Sequence, residues 1–272
     1  MFEFFFCLSY FVTLEGVAGV LVGHPLDTIK VIVQTSPHRL SAISVAKNSS
    51  ISSLYRGIKA PLAGLAALNT IVFGVHGSIM RLTFDNERNI SHTLFMNAIA
   101  GSCAGLAQSI ISSPIELLKT RSQINSHSIL TNAKQIIYSE GGFRGLYRGF
   151  WMTVLRDCPA FATYFYSYES LIYHLTRSKE KPSTVDTLFA GGVAGALSWL
   201  VIYPIDVIKS RIQADIRYTS ASTCLRELIH SEGFAALMRG CGTTLLRAFP
   251  TNGTTFTVFS WTFYFHERIF EK

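Results

Sequence analysis

Long apolar stretches and shorter polar ones alternate along the whole chain. The apolar stretches fall at residues 4–34, 57–82, 93–123, 149–175, 185–214 and 241–268, each at or above the roughly 20 residues that an α-helix needs to cross a bilayer. The pattern predicts an all-α membrane protein with six transmembrane helices. Polar segments after residues 34, 123 and 214 set the odd helices apart from the even ones, while the even helices lead into shorter connectors near Asp85–Arg88 and Arg177–Lys181.

Self-similarity organises these helices. The segments Pro25-Leu-Asp27-Thr-Ile-Lys30, Pro114-Ile-Glu116-Leu-Leu-Lys119 and Pro204-Ile-Asp206-Val-Ile-Lys209 recur with a period of about 90 residues. Each is followed four residues past its lysine by a glutamine: Gln34, Gln123 and Gln213. A second marker, Tyr55-Arg56-Gly57, Tyr147-Arg148-Gly149 and Met238-Arg239-Gly240, keeps the same period. The chain therefore reads as one membrane domain, residues 1–272, of three pseudo-threefold repeats at 1–90, 91–182 and 183–272. Gly16 and Gly19, Gly101 and Gly105, and Gly191 and Gly195 lie on the odd helices, where small residues let backbones approach closely in lipid.

Composition agrees with lipid as the solvent, because 49% of residues are hydrophobic and only 15% charged. A net charge of +7 calls for a negatively signed partner. The basic residues form no runs interleaved with aromatics and no groove-reading signature is present, so that partner is membrane lipid and not nucleic acid. Five cysteines without a CxxC pair predict free thiols, with neither a disulfide framework nor a zinc site. The start of the chain reads as the first helix, without a secretory signal or an Arg-rich transit peptide. Arg39, Lys47, Arg56, Lys59, Lys134, Arg144, Arg148, Arg217, Arg226 and Arg239 place the longer polar segments on one side of the membrane, and an even number of helices places both termini on the other.

Proline removes a backbone donor and bends a helix. Bends in three equivalent helices would draw their ends together, where each acid could meet the base of the next repeat: Asp27 with Lys119, Glu116 with Lys209, and Asp206 with Lys30. Six ionisable groups at one depth are costly unless paired. A ring of such pairs is either a static network or a gate that opens.

The triple Pro-x-acid-x-x-base segment, its glutamines and the aromatic-Arg-Gly marker resemble the mitochondrial carrier family, over residues 10–268. The resemblance implies a monomeric, multi-pass transporter of the mitochondrial inner membrane working by alternating access, with termini towards the intermembrane space and short helices on the matrix side. In it the ring is the matrix gate, Gln34, Gln123 and Gln213 brace it, and cardiolipin lies near Arg56-Gly57, Arg148-Gly149 and Arg239-Gly240 as a structural lipid, with no other cofactor. Two departures stand out. Ile32 replaces the arginine of Arg121 and Arg211, and Asn48-Ser49 replaces Glu140-Gly141 and Glu232-Gly233, which implies a weaker lipid site in the first repeat. The acid–base positions of the cytoplasmic-side gate are Gly77 and Met80, Glu169 and Ile172, Ser260 and Phe263, so that Glu169 alone is charged and that gate is weak.

Eight residues past each marker arginine come Gly64, Arg156 and Arg247, followed by Leu65, Asp157 and Ala248. Charges at this depth default to a substrate role. A carboxylate at Asp157 can hold an ammonium, while the guanidinium forks of Arg156 and Arg247 suit a carboxylate. An internal Arg156–Asp157 salt bridge is the alternative, and it leaves Arg247 unexplained. Trp199, Tyr164, Asn69 and Asn252 could complete the site, the aromatics through cation–π attraction. Aromatic residues also serve helix packing, and His76 reads as a pore-lining or packing residue. The stretches RDCPAFATYF and RAFPTNGTTF resemble the carnitine, ornithine and basic amino-acid branch of the family, and NTIVFGV pulls towards members for which methylated amino acids or choline-like amines are the expected cargo. The leading expectation is a carrier of a cationic or zwitterionic metabolite, the competing one a proton or anion leak pathway. An enzyme is disfavoured, since no nucleophile–base or metal-spaced set recurs near the axis.

Overall fold

Among the described residues, five long helices carry the chain through membrane-length stretches. A computed structural model of the protein describes residues 2–36, 40–83, 90–125, 127–176, 182–215, 217–218, 220–247, 250–251 and 254, without the side chains of residues 2–15 and Thr184. The elements are α1 (Phe2–Thr35), α2 (Ala42–Asn48), α3 (Ile51–Leu54), α4 (Lys59–Leu82), α5 (Ile90–Ile124), α6 (Ile129–Ser139), α7 (Phe150–Thr176), α8 (Thr184–Ala214) and α9 (Ala221–Glu232), with 3-10 segments at Gly142–Tyr147 and Phe234–Met238. Helix resumes at residues 241–247. The expected sixth span continues beyond, with Ala248, Asn252, Ser260 and Phe263 outside the described residues, as are Arg39, Asp85–Arg88 and Arg177–Lys181.

Within the described residues, four helical stretches are both long and apolar enough to cross a bilayer: Gly16–Thr35, Ile51–Leu82, Ile90–Ile124 and Val185–Ala214. Helix α7 is long enough, about 40 Å for its 27 residues, but Arg156, Asp157 and Glu169 lower its hydropathy. Such a helix is tolerated in lipid where its polar residues meet protein. Pro25, Pro114 and Pro204 lie inside α1, α5 and α8, and Pro159 inside α7. Helix α8 opens on a capping box, in which the Ser183 and Asp186 side chains reciprocally satisfy backbone N–H groups.

The chain divides into two compact units, one of Met1–Ala67, Ile115–Leu146 and Arg239–Lys272, the other of Leu68–Pro114 and Tyr147–Met238. Neither follows the repeat boundaries, because the packing inside each unit joins one repeat to the next. In the first unit, Ile29, Val33 and Val45 are buried together with Leu26, Ile32, Ala42 and Leu54 against them, seating α1 on α2 and α3. Thr28 Oγ1 donates to the Leu54 carbonyl at 2.8 Å and His24 Nε2 to the Arg56 carbonyl at 2.9 Å. In the second unit, Met152, Ile208, Ile212 and Cys224 form a buried cluster that joins α7, α8 and α9.

The paired glycines divide by repeat. A Cβ on Gly101 would stand 2.6 Å from the Phe161 carbonyl oxygen, and one on Gly105 2.7 Å from that of Asp157, so α5 and α7 touch backbone to backbone. Gly16 faces the Leu65 side chain at 2.6 Å. Among the described residues, a Cβ on Gly191 would meet only the Tyr164 hydroxyl at 3.9 Å and one on Gly195 nothing within 4 Å.

The two departures of the first repeat prove to be one. Arg121 pairs with Glu140 at 3.1 Å and Arg211 with Glu232 at 2.8 Å, tying the ends of α5 and α8 to the ends of α6 and α9. Ile32 instead packs in the apolar cluster of α1, α2 and α3. An ion pair and its hydrophobic replacement hold equivalent arms, as buried ion pairs can be exchanged for packed apolar groups.

Cys224 is 1% exposed, and burial pushes its thiol up to about 11. At pH 8 its reactive thiolate is then scarce, on the order of one part in a thousand. Maleimide should therefore leave Cys224 unlabelled in the folded protein and label it after denaturation, as mass spectrometry of the α9 peptide will show.

Candidate functional site

The acid, base and glutamine expected to meet in the first unit come together. Lys119 forms an ion pair with Asp27, both side chains largely buried. Gln123 Nε2 donates to Asp27 Oδ2 at 3.4 Å and to Thr28 Oγ1 at 3.0 Å. The acid of repeat 1 thus meets the base of repeat 2, with the glutamine of repeat 2 alongside. Lys30, Gln34, Asp206, Lys209 and Gln213 are all buried, and Glu116 is half-buried. Lys30 and Glu116 belong to the first unit, Asp206 and Lys209 to the second.

The aromatic-Arg-Gly marker has a physical reason that the sequence left open. Arg148 donates from Nε to the Ile212 carbonyl at 3.0 Å and from Nη2 to those of Asp215 and Tyr218 at 2.9 and 2.8 Å. Arg239 Nη1 donates to the Ser36 carbonyl at 3.2 Å. Each of these arginines caps the C-terminal end of the next repeat's odd helix, where unpaired carbonyls and the helix dipole favour a cation. The glycines that follow have φ near +80°: Gly57 at +80°, Gly149 at +79° and Gly240 at +84°. Only glycine takes this conformation without strain. A Cβ on Gly57 would also stand 3.0 Å from the Lys119 carbonyl oxygen, beside the Asp27–Lys119 pair.

In the second unit, Asp157 is 3% exposed on α7. Arg156 reaches its Oδ1 from Nε at 2.7 Å and from Nη2 at 2.6 Å. Ser112 and Ser109 of α5 donate to its Oδ2 at 3.4 and 3.5 Å. Arg156 also donates from Nη1 to Asp206 Oδ1 on α8 at 3.5 Å. The structure therefore joins two charges that the sequence offered as separate ligands for an ammonium and a carboxylate. A neighbouring acid and base in a low-dielectric site satisfy each other because neither can be left alone. Trp199 is half-buried on α8, seven residues and thus two turns before Asp206 on the same face.

The remaining expected site residues each have their own neighbours. Tyr164 stacks on Tyr168 at 6.2 Å, meets Phe165 edge-on at 5.5 Å and points its hydroxyl towards Gly191, so it packs α7 on α8 about 10 Å along the helix from Asp157. Leu65 packs α4 on α1 through Gly16. His76 stacks on Phe165 at 3.8 Å, as a packing residue. Gly64 is buried and Asn69 half-buried on α4. Glu169 is half-buried on α7. In the first unit the Arg247 side chain lies 3.6 Å from where a Cβ on Gly23 would stand, one turn before Asp27 on the same face of α1.

Membrane-length helices in three repeats, acids and bases paired from one repeat to the next, and charge buried at mid-helix define a transporter. The family model described as mitochondrial carrier protein matches the chain three times, over residues 11–87, 91–179 and 180–265, and the chain belongs to that family. It is 39% identical over 262 residues to the mitochondrial basic amino acids transporter of Homo sapiens, covering 89% of this chain and 84% of the relative. It is 37% identical over 256 residues to the mitochondrial arginine transporter BAC2 of Arabidopsis thaliana (90% and 86%), and 34% identical over 285 residues to a mitochondrial carnitine/acylcarnitine carrier-like protein of that plant (92% and 95%). The protein is thus an all-α, multi-pass mitochondrial membrane carrier of small molecules, not an enzyme.

Proposed function

We propose that the protein carries a basic amino acid, arginine or lysine, across the mitochondrial inner membrane by alternating access. The observation that carries this reading is the buried Asp157–Arg156–Asp206 cluster, which offers both signs of charge within one membrane-depth site. The relatives named for basic amino acids and for arginine support it. Arg156 and Arg247 would take the cargo's carboxylate, and Asp157 its ammonium or guanidinium. Gly64, Leu65, Asn69, Trp199, Tyr164 and Asn252 would shape the surroundings.

In the same proposal, the observed Asp27–Lys119 pair is one third of a matrix-side gate, completed by Glu116 with Lys209 and Asp206 with Lys30, and braced by Gln34, Gln123 and Gln213. Glu169 gives the cytoplasmic side a weak counterpart, which suits exchange at low energetic cost for opening. The termini face the intermembrane space and the carrier works as a monomer. Cardiolipin phosphate would bind near Gly57, Gly149 and Gly240, where Arg148 and Arg239 already serve the helix ends.

The test is thermal stability of the purified carrier with lysine, methylated lysines, arginine, ornithine, carnitine and choline, with nucleotides as controls. A cargo at a hundred times its Kd adds about 2.7 kcal/mol, a shift of several degrees. We expect arginine or lysine to give it and Asp157→Asn to lose it; stabilisation by nucleotides alone contradicts the proposal.

A further inference from the structure

We infer that Ser112, assisted by Ser109, is a positioning residue that turns the Asp157 carboxylate so that one of its oxygens is kept for the cargo's cation. The inference rests on the basic amino-acid reading above and names the residues that make the site select a charged side chain.

The Nε and Nη2 contacts of Arg156, at 2.7 and 2.6 Å, both fall on Asp157 Oδ1. An arginine and a carboxylate left to themselves commonly pair through two parallel bonds, one to each oxygen. Here Oδ2 is engaged from α5, with the Ser112 hydroxyl at 3.4 Å and the Ser109 hydroxyl at 3.5 Å. A serine inside a helix can return its hydrogen to the carbonyl four residues back. Ser109 does so, to Gly105 at 2.7 Å, and shares its hydroxyl with Asp157. Ser112 reaches across to α7 instead, and among the described residues Asp157 is its hydrogen-bond partner. The backbones of α5 and α7 touch at Gly105 and Asp157, which fixes the reach of both hydroxyls. Both serines and Asp157 are buried. Without the hydroxyls, a buried Oδ2 left unsatisfied turns to the nearest donors, those of the Arg156 fork. The cargo's cation would then compete with Arg156 for both oxygens.

The repeats supply an internal control. At the places of Ser109 and Ser112, five and two residues before the helix proline, repeat 1 has Val20 and Gly23 and repeat 3 has Trp199 and Ile202. At the place of Asp157 they have Leu65 and Ala248. Hydroxyls stand on the odd helix only in the repeat whose even helix carries the acid. Ser113, next along α5 and also fully buried, is the contrast: its Oγ has no hydrogen-bond partner among the described residues.

The experiment measures uptake of labelled arginine and lysine into liposomes by the full-length carrier, with KM and kcat separated. Ser112→Ala should raise KM about threefold and the double variant Ser109→Ala, Ser112→Ala about tenfold, the effects of one and of two hydrogen bonds, with kcat close to that of the wild type. Ser112→Thr and Ser112→Val add nearly the same volume and differ in the hydroxyl, so the threonine variant should have the lower KM, by about threefold. A merely structural role would not separate these two. Ser113→Ala should leave KM unchanged. An unchanged KM in the double variant, equal KM values in Ser112→Thr and Ser112→Val, or a Ser113→Ala as impaired as Ser112→Ala overturns the inference while the cargo reading stands. Failure of the wild type to take up arginine or lysine overturns both.

Discussion

Replacing Gly105 by valine is expected to cost the carrier much of its stability and its transport together. A Cβ at this position would lie 2.7 Å from the Asp157 carbonyl oxygen, 2.8 Å from its carbon and 3.0 Å from the Cys158 nitrogen, all backbone atoms that cannot rotate away. Helices α5 and α7 would have to separate by roughly an ångström to restore ordinary contact, an overpacking that costs about 1–3 kcal/mol or more. The separation also draws Asp157 off Ser109 and Ser112, so the Asp157–Arg156 cluster loosens along with the fold. Thermal unfolding in detergent should show a loss of about 5–10 °C. Gly195→Ala on α8 is the contrast, since a Cβ there meets nothing within 4 Å among the described residues, and it should leave the midpoint unchanged or slightly raised.

The second large effect concerns the proposed gate. Asp27→Lys sets two ammonium groups against each other where Lys119 now meets a carboxylate, with Arg247 close by on the same face of α1. Breaking a largely buried pair by removing one partner costs about 3–5 kcal/mol. Uptake should fall more than tenfold in Asp27→Lys and in Lys119→Asp alone. The double swap restores opposite signs across the same contact and should recover most of the activity. A double variant as inactive as the single ones would show that the contact does not carry the gate.

Much of this architecture was legible in the sequence, and the reason differs from feature to feature. The helices could be read because lipid demands long apolar runs, and the order of the repeats because two markers share a period. The meeting of Asp27 with Lys119 followed from a threefold arrangement, which fixes neighbours without coordinates. What could not be read depended on distances between helices. Sequence adjacency showed Arg156 and Asp157 as a pair, but only packing shows Asp206 on Arg156 Nη1. The Arg-Gly marker pointed to lipid, whereas Arg148 is engaged with three carbonyls at the end of α8. A basic residue at a constant distance before a glycine was the available signal for such a cap. Gly101 and Gly191 look alike in sequence, yet among the described residues only the first faces a backbone.

The account stands on cargo, and the direct measurement is uptake of labelled arginine into liposomes containing the purified carrier. Uptake that rises when the liposomes are preloaded with unlabelled arginine or lysine, and that disappears in Asp157→Asn, is the predicted result. Liposomes that take up no basic amino acid but gain a proton or anion conductance would contradict the account and establish the leak pathway in its place.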